Sequence, residues 1–151
     1  MKRVVVGSIV IGLLLAVGIL AVAAPPPQES HQRGCSLKTL NGTYLFEYSG
    51  FQMEDGQQVP VVFAGQDRFN GDGTATSINS FSLNGAITRN VTSTGTYTIE
   101  ADCTGSSIFI DDVTGETSHF DHFVGRDGDA LTFIQTDLGV VAGGSERRVG
   151  K

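Results

Sequence analysis

An all-β domain of about eight antiparallel strands, closed into an up-and-down barrel, is the fold this sequence predicts. Three observations carry the expectation. Short runs rich in Val, Ile, Thr, Tyr and Phe alternate with clusters of Gly, Asp and Asn, the pattern of strands joined by tight turns. From Leu40 onward no segment keeps an apolar helical period over the length of a helix. No gap between runs has room for a crossover helix, so neighbouring runs pair antiparallel in sequence order. A β-sandwich is the alternative for a chain of this size. Closure is preferred because it leaves no exposed edge strand. Glycines in strand-like positions (Gly65, Gly95, Gly139, Gly143, Gly144) also suit the bends of a small barrel.

Before the first strand the chain reads as a leader and a tether. Lys2 and Arg3 precede the apolar run "VVVGSIVIGLLLAVGILAVAA", which ends in Ala21-Val22-Ala23. A short positive region, an apolar stretch and small residues before a cleavage point make a secretory signal over residues 1–23, with cleavage after Ala23. An uncleaved anchor is the alternative, since the run is about long enough to span a bilayer. Residues 24–34 hold three prolines among polar residues, an extended tether. The domain proper is expected over 35–148, followed by a short tail, 149–151.

The strands follow in order. "GTYLFEYS" puts Tyr44, Phe46 and Tyr48 on one face. "VPVVFAGQDRF" runs to the turn "NGDG", and "TATSINSFSL" leads into Asn84-Gly85. Asn-Gly is the strongest short hairpin signal, because both residues tolerate the positive φ of a type I′ turn; it pairs Leu83 with Ala86, Ser82 with Ile87 and Phe81 with Thr88. The returning strand "AITRNVTSTGTYTIE" is long, with Gly95 marking a bulge or bend. Its threonines suit a solvated face, with Tyr97 and Ile99 on a buried one. "SSIFIDD", "TSHFDHFVG", "ALTFIQTD" and "LGVVAGGSERR" complete the set, separated by turns at "ADCTG", "VTGE" and "RDGD".

Cys35 and Cys103 are the only cysteines. In an exported chain they form one disulfide, closing a loop of about 70 residues for roughly 4 kcal/mol of chain-entropy stabilisation. The net charge is −6, and loss of Lys2 and Arg3 with the leader takes it to −8. With so few basic residues, nucleic acid and anionic membrane are not expected partners once the signal is cleaved.

Motifs for established chemistries are absent. His119-Phe120-Asp121-His122 resembles a metal pair, but strand alternation sends the two histidines to opposite faces; no metal and no cofactor are expected. "NGDGT" and "RDGDA" lack calcium-loop spacing and read as hairpin turns. Carboxylates in or near strands (Glu47, Asp67, Glu100, Asp121, Asp137) could serve acid–base work if they pointed inward together. Aromatics Phe63, Phe69, Phe109, Phe120 and Phe133, with those of the first strand, either fill the barrel or line a pocket at one mouth. The candidate ligand-binding residues are Tyr44, Phe46, Phe63, Phe133 and Gln135, with Asp67, Arg68 or Gln135 at the rim.

Taken together, "CSLKTLNGTYLFEYSGF", "RFNGDGTAT", "GTYTIEADCTGS" and "FIQTDLGVVAGGSERR" resemble a family of small exported bacterial proteins that has no assigned activity. The resemblance spans Cys35 to Arg148. It implies export, a β-barrel-like domain and the Cys35–Cys103 pairing, and carries over no catalytic residue. At the level of fold class alone the pattern is similar to calycins and allene-oxide-cyclase-like barrels, with no motif onto which a cyclase's residues could be placed. The expected function is binding of a small apolar molecule. The alternatives are an isomerase or cyclase working in the lumen, and a structural or interaction protein of the cell envelope.

Overall fold

The computed structural model describes residues 34–151; the expected signal (1–23) and nearly all of the tether lie outside the described residues. Eight strands form a closed antiparallel barrel in sequence order, β1 back to β8. They are β1 (Asn41–Glu54), β2 (Gln57–Asn70), β3 (Thr74–Leu83), β4 (Ala86–Ile99), β5 (Thr104–Asp111), β6 (Thr117–Val124), β7 (Ala130–Gln135) and β8 (Val140–Gly150). One 3-10 turn, Leu37–Thr39, precedes β1 and is tied by the Ser36 amide donating to Thr39 Oγ1 at 3.0 Å.

Strand alternation decides what lies inside. On β1, Tyr44 and Tyr48 are buried while Leu45, Glu47 and Ser49 face out. On β4 the threonines Thr92, Thr94, Thr96 and Thr98 are exposed and Tyr97 and Ile99 are buried, as a half-solvated strand requires. The Asn84-Gly85 hairpin forms with the expected register, Leu83 opposite Ala86 and Phe81 opposite Thr88, and both turn residues have positive φ, 49° and 86°.

Several expectations need correction. β1 and β2 are longer than their most apolar cores and meet at a second hairpin turn, Asp55-Gly56, with φ of 49° and 78°; Asp-Gly serves there as Asn-Gly does at 84–85. The bulge in β4 is not at Gly95. It lies where Asn79 opposes Val91 and Phe81 opposes Thr88, giving β4 one extra residue near Asn90, whose φ is 57°. Gly95 is in regular register with Phe109, and a Cβ there would stand 2.7 Å from the Phe109 ring. The glycine makes room for that ring. Val149 and Gly150, expected in the tail, are strand: Gly150 pairs with Thr43, with an irregularity between Thr43 and Tyr44.

One end of the barrel is plugged. Leu40, Tyr44 and Phe69 are fully buried, with Ala75, Tyr97, Val124 and Leu131 around them. The rings of Tyr44, Phe69 and Tyr97 pack edge to face at 5.3 and 5.1 Å, the geometry aromatic quadrupoles favour. The Tyr97 hydroxyl lies 2.9 and 2.8 Å from the carbonyls of Leu37 and Leu40 and accepts the Gly71 amide at 3.0 Å. Arg148 crosses this end: Nη2 donates to the carbonyls of Thr39 (2.9 Å) and Gly128 (2.8 Å) and to the Tyr44 hydroxyl (2.9 Å), while Nη1 meets Asp129 at 3.3 Å.

The Cys35–Cys103 disulfide forms and straps the segment before β1 to the β4–β5 turn, with the Cys35 amide also donating to the Ala101 carbonyl at 3.1 Å. Cys103 adopts φ of 74°. The turn is held by Asp102, which accepts from the Thr104 amide (3.0 Å) and hydroxyl (2.7 Å). The same Asx arrangement, with Asp72 and Thr74, closes the β2–β3 turn at this end. The bond indicates that the domain occupies a non-reducing environment.

Candidate functional site

Above the plug the barrel is hollow. A cavity of about 880 Å³ runs toward the opposite end, where Arg89, Val113 and Glu116 stand at its mouth. The inward face of successive strands therefore supplies two different environments, depending on height.

The wall is aromatic. Tyr48 and Phe63 pack at 5.0 Å, Phe63 and Phe81 at 4.9 Å, and Phe120 meets Phe133 edge to face at 5.6 Å. Tyr48 and Phe133 are stacked, 8° from parallel at 5.9 Å. The Tyr48 hydroxyl donates to Gln135 Oε1, Gln135 Nε2 donates to Asp137 Oδ2 at 2.7 Å, and Asp137 Oδ1 meets His119 Nδ1 on the outer surface at 2.6 Å. Burial, reinforced by the charge of Asp137, pushes the Tyr48 phenol up to about 12.

The floor is polar. Asp67 (β2), Ser107 (β5), His122 (β6) and Glu146 (β8) are all at least nine-tenths buried and line the cavity. Asp67, His122 and Glu146 each sit two residues from a group of the plugged end, respectively Phe69, Val124 and Arg148. The period of two brings them onto the same inward stripe, one layer higher. His122 Nε2 and Ser107 Oγ are 2.9 Å apart. Asp67 Oδ1, Glu146 Oε2, His122 Nδ1 and Asn79 Oδ1 find no partner among the described residues. Buried polar groups are rarely left so.

Electrostatics follow from that burial. Desolvation raises the Asp67 carboxyl to about 7, against a lowering effect of the Ser77 hydroxyl opposite it. Glu146 is pushed well above the ordinary carboxylate range, first by burial and then by the charge of Asp67. Burial lowers His122 to about 4. The floor at neutral pH is thus a neutral imidazole beside two carboxyl groups that share a poorly solvated space and resist ionising together. Among the described residues, no three His, Cys, Asp or Glu side chains converge as a metal site.

The residues named from sequence divide accordingly. Phe46, Phe63, Phe133 and Gln135 line the cavity. Tyr44 points inward but belongs to the plug: its hydroxyl donates to the Gly128 carbonyl at 2.5 Å and it has no place in the cavity wall. Asp67 lies at the floor, not the rim. Arg68, its neighbour, faces out toward Thr43 Oγ1 at 3.4 Å. Glu47, Glu100 and Asp121 are exposed on the outside. His119 and His122 do point to opposite faces, one paired with Asp137 outside and the other buried inside. Sequence reasoning misses Glu146, Ser107 and Asn79; their signal is a two-residue spacing from buried partners, which becomes readable once the inward stripe is known.

Compared with known proteins, the chain matches no family model, no curated protein and no solved structure.

Proposed function

We propose that this domain is an exported binding protein that carries a small, largely apolar molecule in its lumen. The carrying observation is the cavity of about 880 Å³ with its aromatic wall; a mostly apolar, largely pre-formed pocket with a few placed polar groups is the usual form of a small-molecule site. Burial of aromatic and aliphatic ligand surface supplies affinity at about 25 cal/mol per Å² before association costs. The unpartnered atoms at the floor supply orientation, since a ligand matching them removes a desolvation cost that the free protein bears. Export rests on the N-terminal leader and agrees with the disulfide.

The test is native mass spectrometry of the exported, mature chain, before and after denaturation, with a lumen-blocked Ser93→Trp variant as control. A small mass that accompanies the wild-type protein, is lost on denaturation and is missing from a folded variant supports the reading. Wild-type protein that carries no such mass and fails to bind the neutral probe Nile red would overturn it.

A second reading, an isomerase- or cyclase-type enzyme in the same lumen, is favoured by one observation: a carboxyl group with a pKa of about 7 inside the cavity suits general acid–base catalysis. On that reading the co-purified mass would be a substrate or product, and Asp67→Asn would abolish turnover while preserving binding.

A further inference from the structure

We propose that the molecule held in the lumen is an amine, bound as its cation with the ammonium group seated between the carboxyl groups of Asp67 and Glu146 and its apolar body against the phenylalanine wall. The inference deepens the binding reading and rests on it.

The geometry begins with β1, which lies between β2 and β8 in the closed sheet. Asp67 is opposite Tyr44 on one side of β1, and Glu146 is opposite Phe46 on the other. Both side chains are inward and about 95 % buried, and each keeps one oxygen without a partner among the described residues. Both line the same cavity. Two buried acids beside one hole, each offering an acceptor, are the complement of a group with several N–H donors.

The surrounding charges point the same way. From the other elements, the ionisable groups near the pair are Tyr44 and Tyr48 of β1, Tyr97 of β4, His122 of β6 and Arg148 of β8. Asp111, Arg89, Glu116 and Asp137 lie at the mouth or rim. β3 and β7 place only Ser77, Asn79, Gln135 and apolar groups inward among the described residues. Arg148 is the one cation among the described residues on this inward stripe near the floor, and its nitrogens are directed at Tyr44, Thr39, Gly128 and Asp129. Burial leaves His122 neutral near pH 7. Neither neutralises the acid pair. A carboxylate or phosphate ligand would be repelled once either acid ionised, and a neutral hydroxyl could satisfy only one acceptor. An ammonium supplies three donors and the missing charge. Phe63, Phe81 and Phe133 present ring surface to a cation and its apolar stem alike.

Charge and proton balance define the signature. The amine enters as its cation, and a carboxylic acid of the pair releases its proton to solvent, leaving an ammonium–carboxylate pair. Binding at pH 6 should therefore release about one proton per ligand.

The experiment compares phenylbutylamine, phenylbutanol and phenylbutyrate on the mature protein by calorimetry, at pH 6 in two buffers of different ionisation enthalpy. The amine is expected to bind at least about tenfold tighter than the alcohol, with proton release, and the carboxylate more weakly than either. In the doubly neutralised variant Asp67→Asn, Glu146→Gln the amine should lose its advantage over the alcohol and its proton release, while Nile red, held by the aromatic wall, still binds. Retained Nile red binding shows that the variant still folds. If the alcohol and amine bind equally without proton release, the amine assignment is overturned and the lumen reading stands. If neither ligand nor Nile red binds, the lumen reading falls with it.

Discussion

The two halves of this barrel are built from the same eight strands and the same alternation, yet they solve opposite problems. At the plugged end, the buried polar groups find partners within the protein: Tyr97 reaches Leu37 and Leu40, Tyr44 reaches Gly128, and Arg148 bonds two carbonyls and a hydroxyl. One layer higher, four buried polar atoms have none among the described residues, and the rings stand around a cavity instead of filling it. A network that satisfies itself stabilises the fold. One left open costs stability until something fills it, and on the proposed reading a ligand does so.

The two halves should differ most in what an aromatic ring contributes. Phe69→Ala, in the plug, is expected to cost about 4 kcal/mol, as deletion of a fully buried ring does. Phe63→Ala, on the cavity wall, should cost less than about half of that, because the truncation adds to a space already present. Urea unfolding of both variants measures the difference; equal costs would mean that the two halves are packed alike.

Next in size is the strap. Replacing Cys35 and Cys103 together by Ser should remove up to roughly 4 kcal/mol through the freed unfolded chain while leaving Nile red binding unchanged. Arg148→Met should then cost about 2 kcal/mol, because the Thr39 carbonyl and its neighbours lose a buried donor. Chemical denaturation with Nile red binding as a second readout separates stability from lumen integrity in both cases.

The smallest expected effect has a distinctive pH dependence. The Asp67 carboxyl is raised from the ordinary carboxylate range to about 7 in the fold. Below about pH 4 it is protonated in both states and has no influence. Between about 4 and 7 the unfolded chain has lost a proton that the folded one keeps, so the ligand-free protein loses stability as pH rises. His122 acts oppositely: lowered to about 4 by burial, it contributes stability that is present above its unfolded value near 6.5 and lost as pH falls below it. The two slopes offset each other between about 4 and 6.5, and the acids act alone above that. Asp67→Asn should therefore gain at least about 1 kcal/mol at pH 8 and little at pH 4, which thermal unfolding across pH would reveal.

Much of the plan is legible in the amino-acid sequence alone. The Asn84-Gly85 turn sets its own register, the threonines of β4 mark a solvated face, and two cysteines in a chain expected to be exported imply their bond. The Asp55-Gly56 hairpin carries the same signal but follows a Ser-Gly-Phe-Gln-Met-Glu stretch of weak strand character, so propensity alone ends β1 and starts β2 too near their apolar cores. The site is harder for a physical reason. Alternation says which residues share a face but not which face is inside, and a carboxylate is ordinarily read as facing water. Asp67 and Glu146 lie inside because their stripes also carry Phe69 and Arg148, which the plug needs. Height along the barrel, which separates plug from cavity and takes Tyr44 out of the site, depends on how eight registers combine and is not encoded in any one strand.

At the centre stand two carboxyl groups of the lumen floor that do not ionise normally because protein, not water, surrounds them. Carbon-13 NMR of the side-chain carboxyl groups, followed through a pH titration of the ligand-free protein, tests this directly. Asp67 is expected to titrate near pH 7 and Glu146 well above the ordinary range, and addition of phenylbutylamine at pH 6 should ionise the pair by about one carboxyl group in total. Two carboxyl groups titrating near pH 4, in the ordinary range, would contradict it and would mean that the floor is open to water.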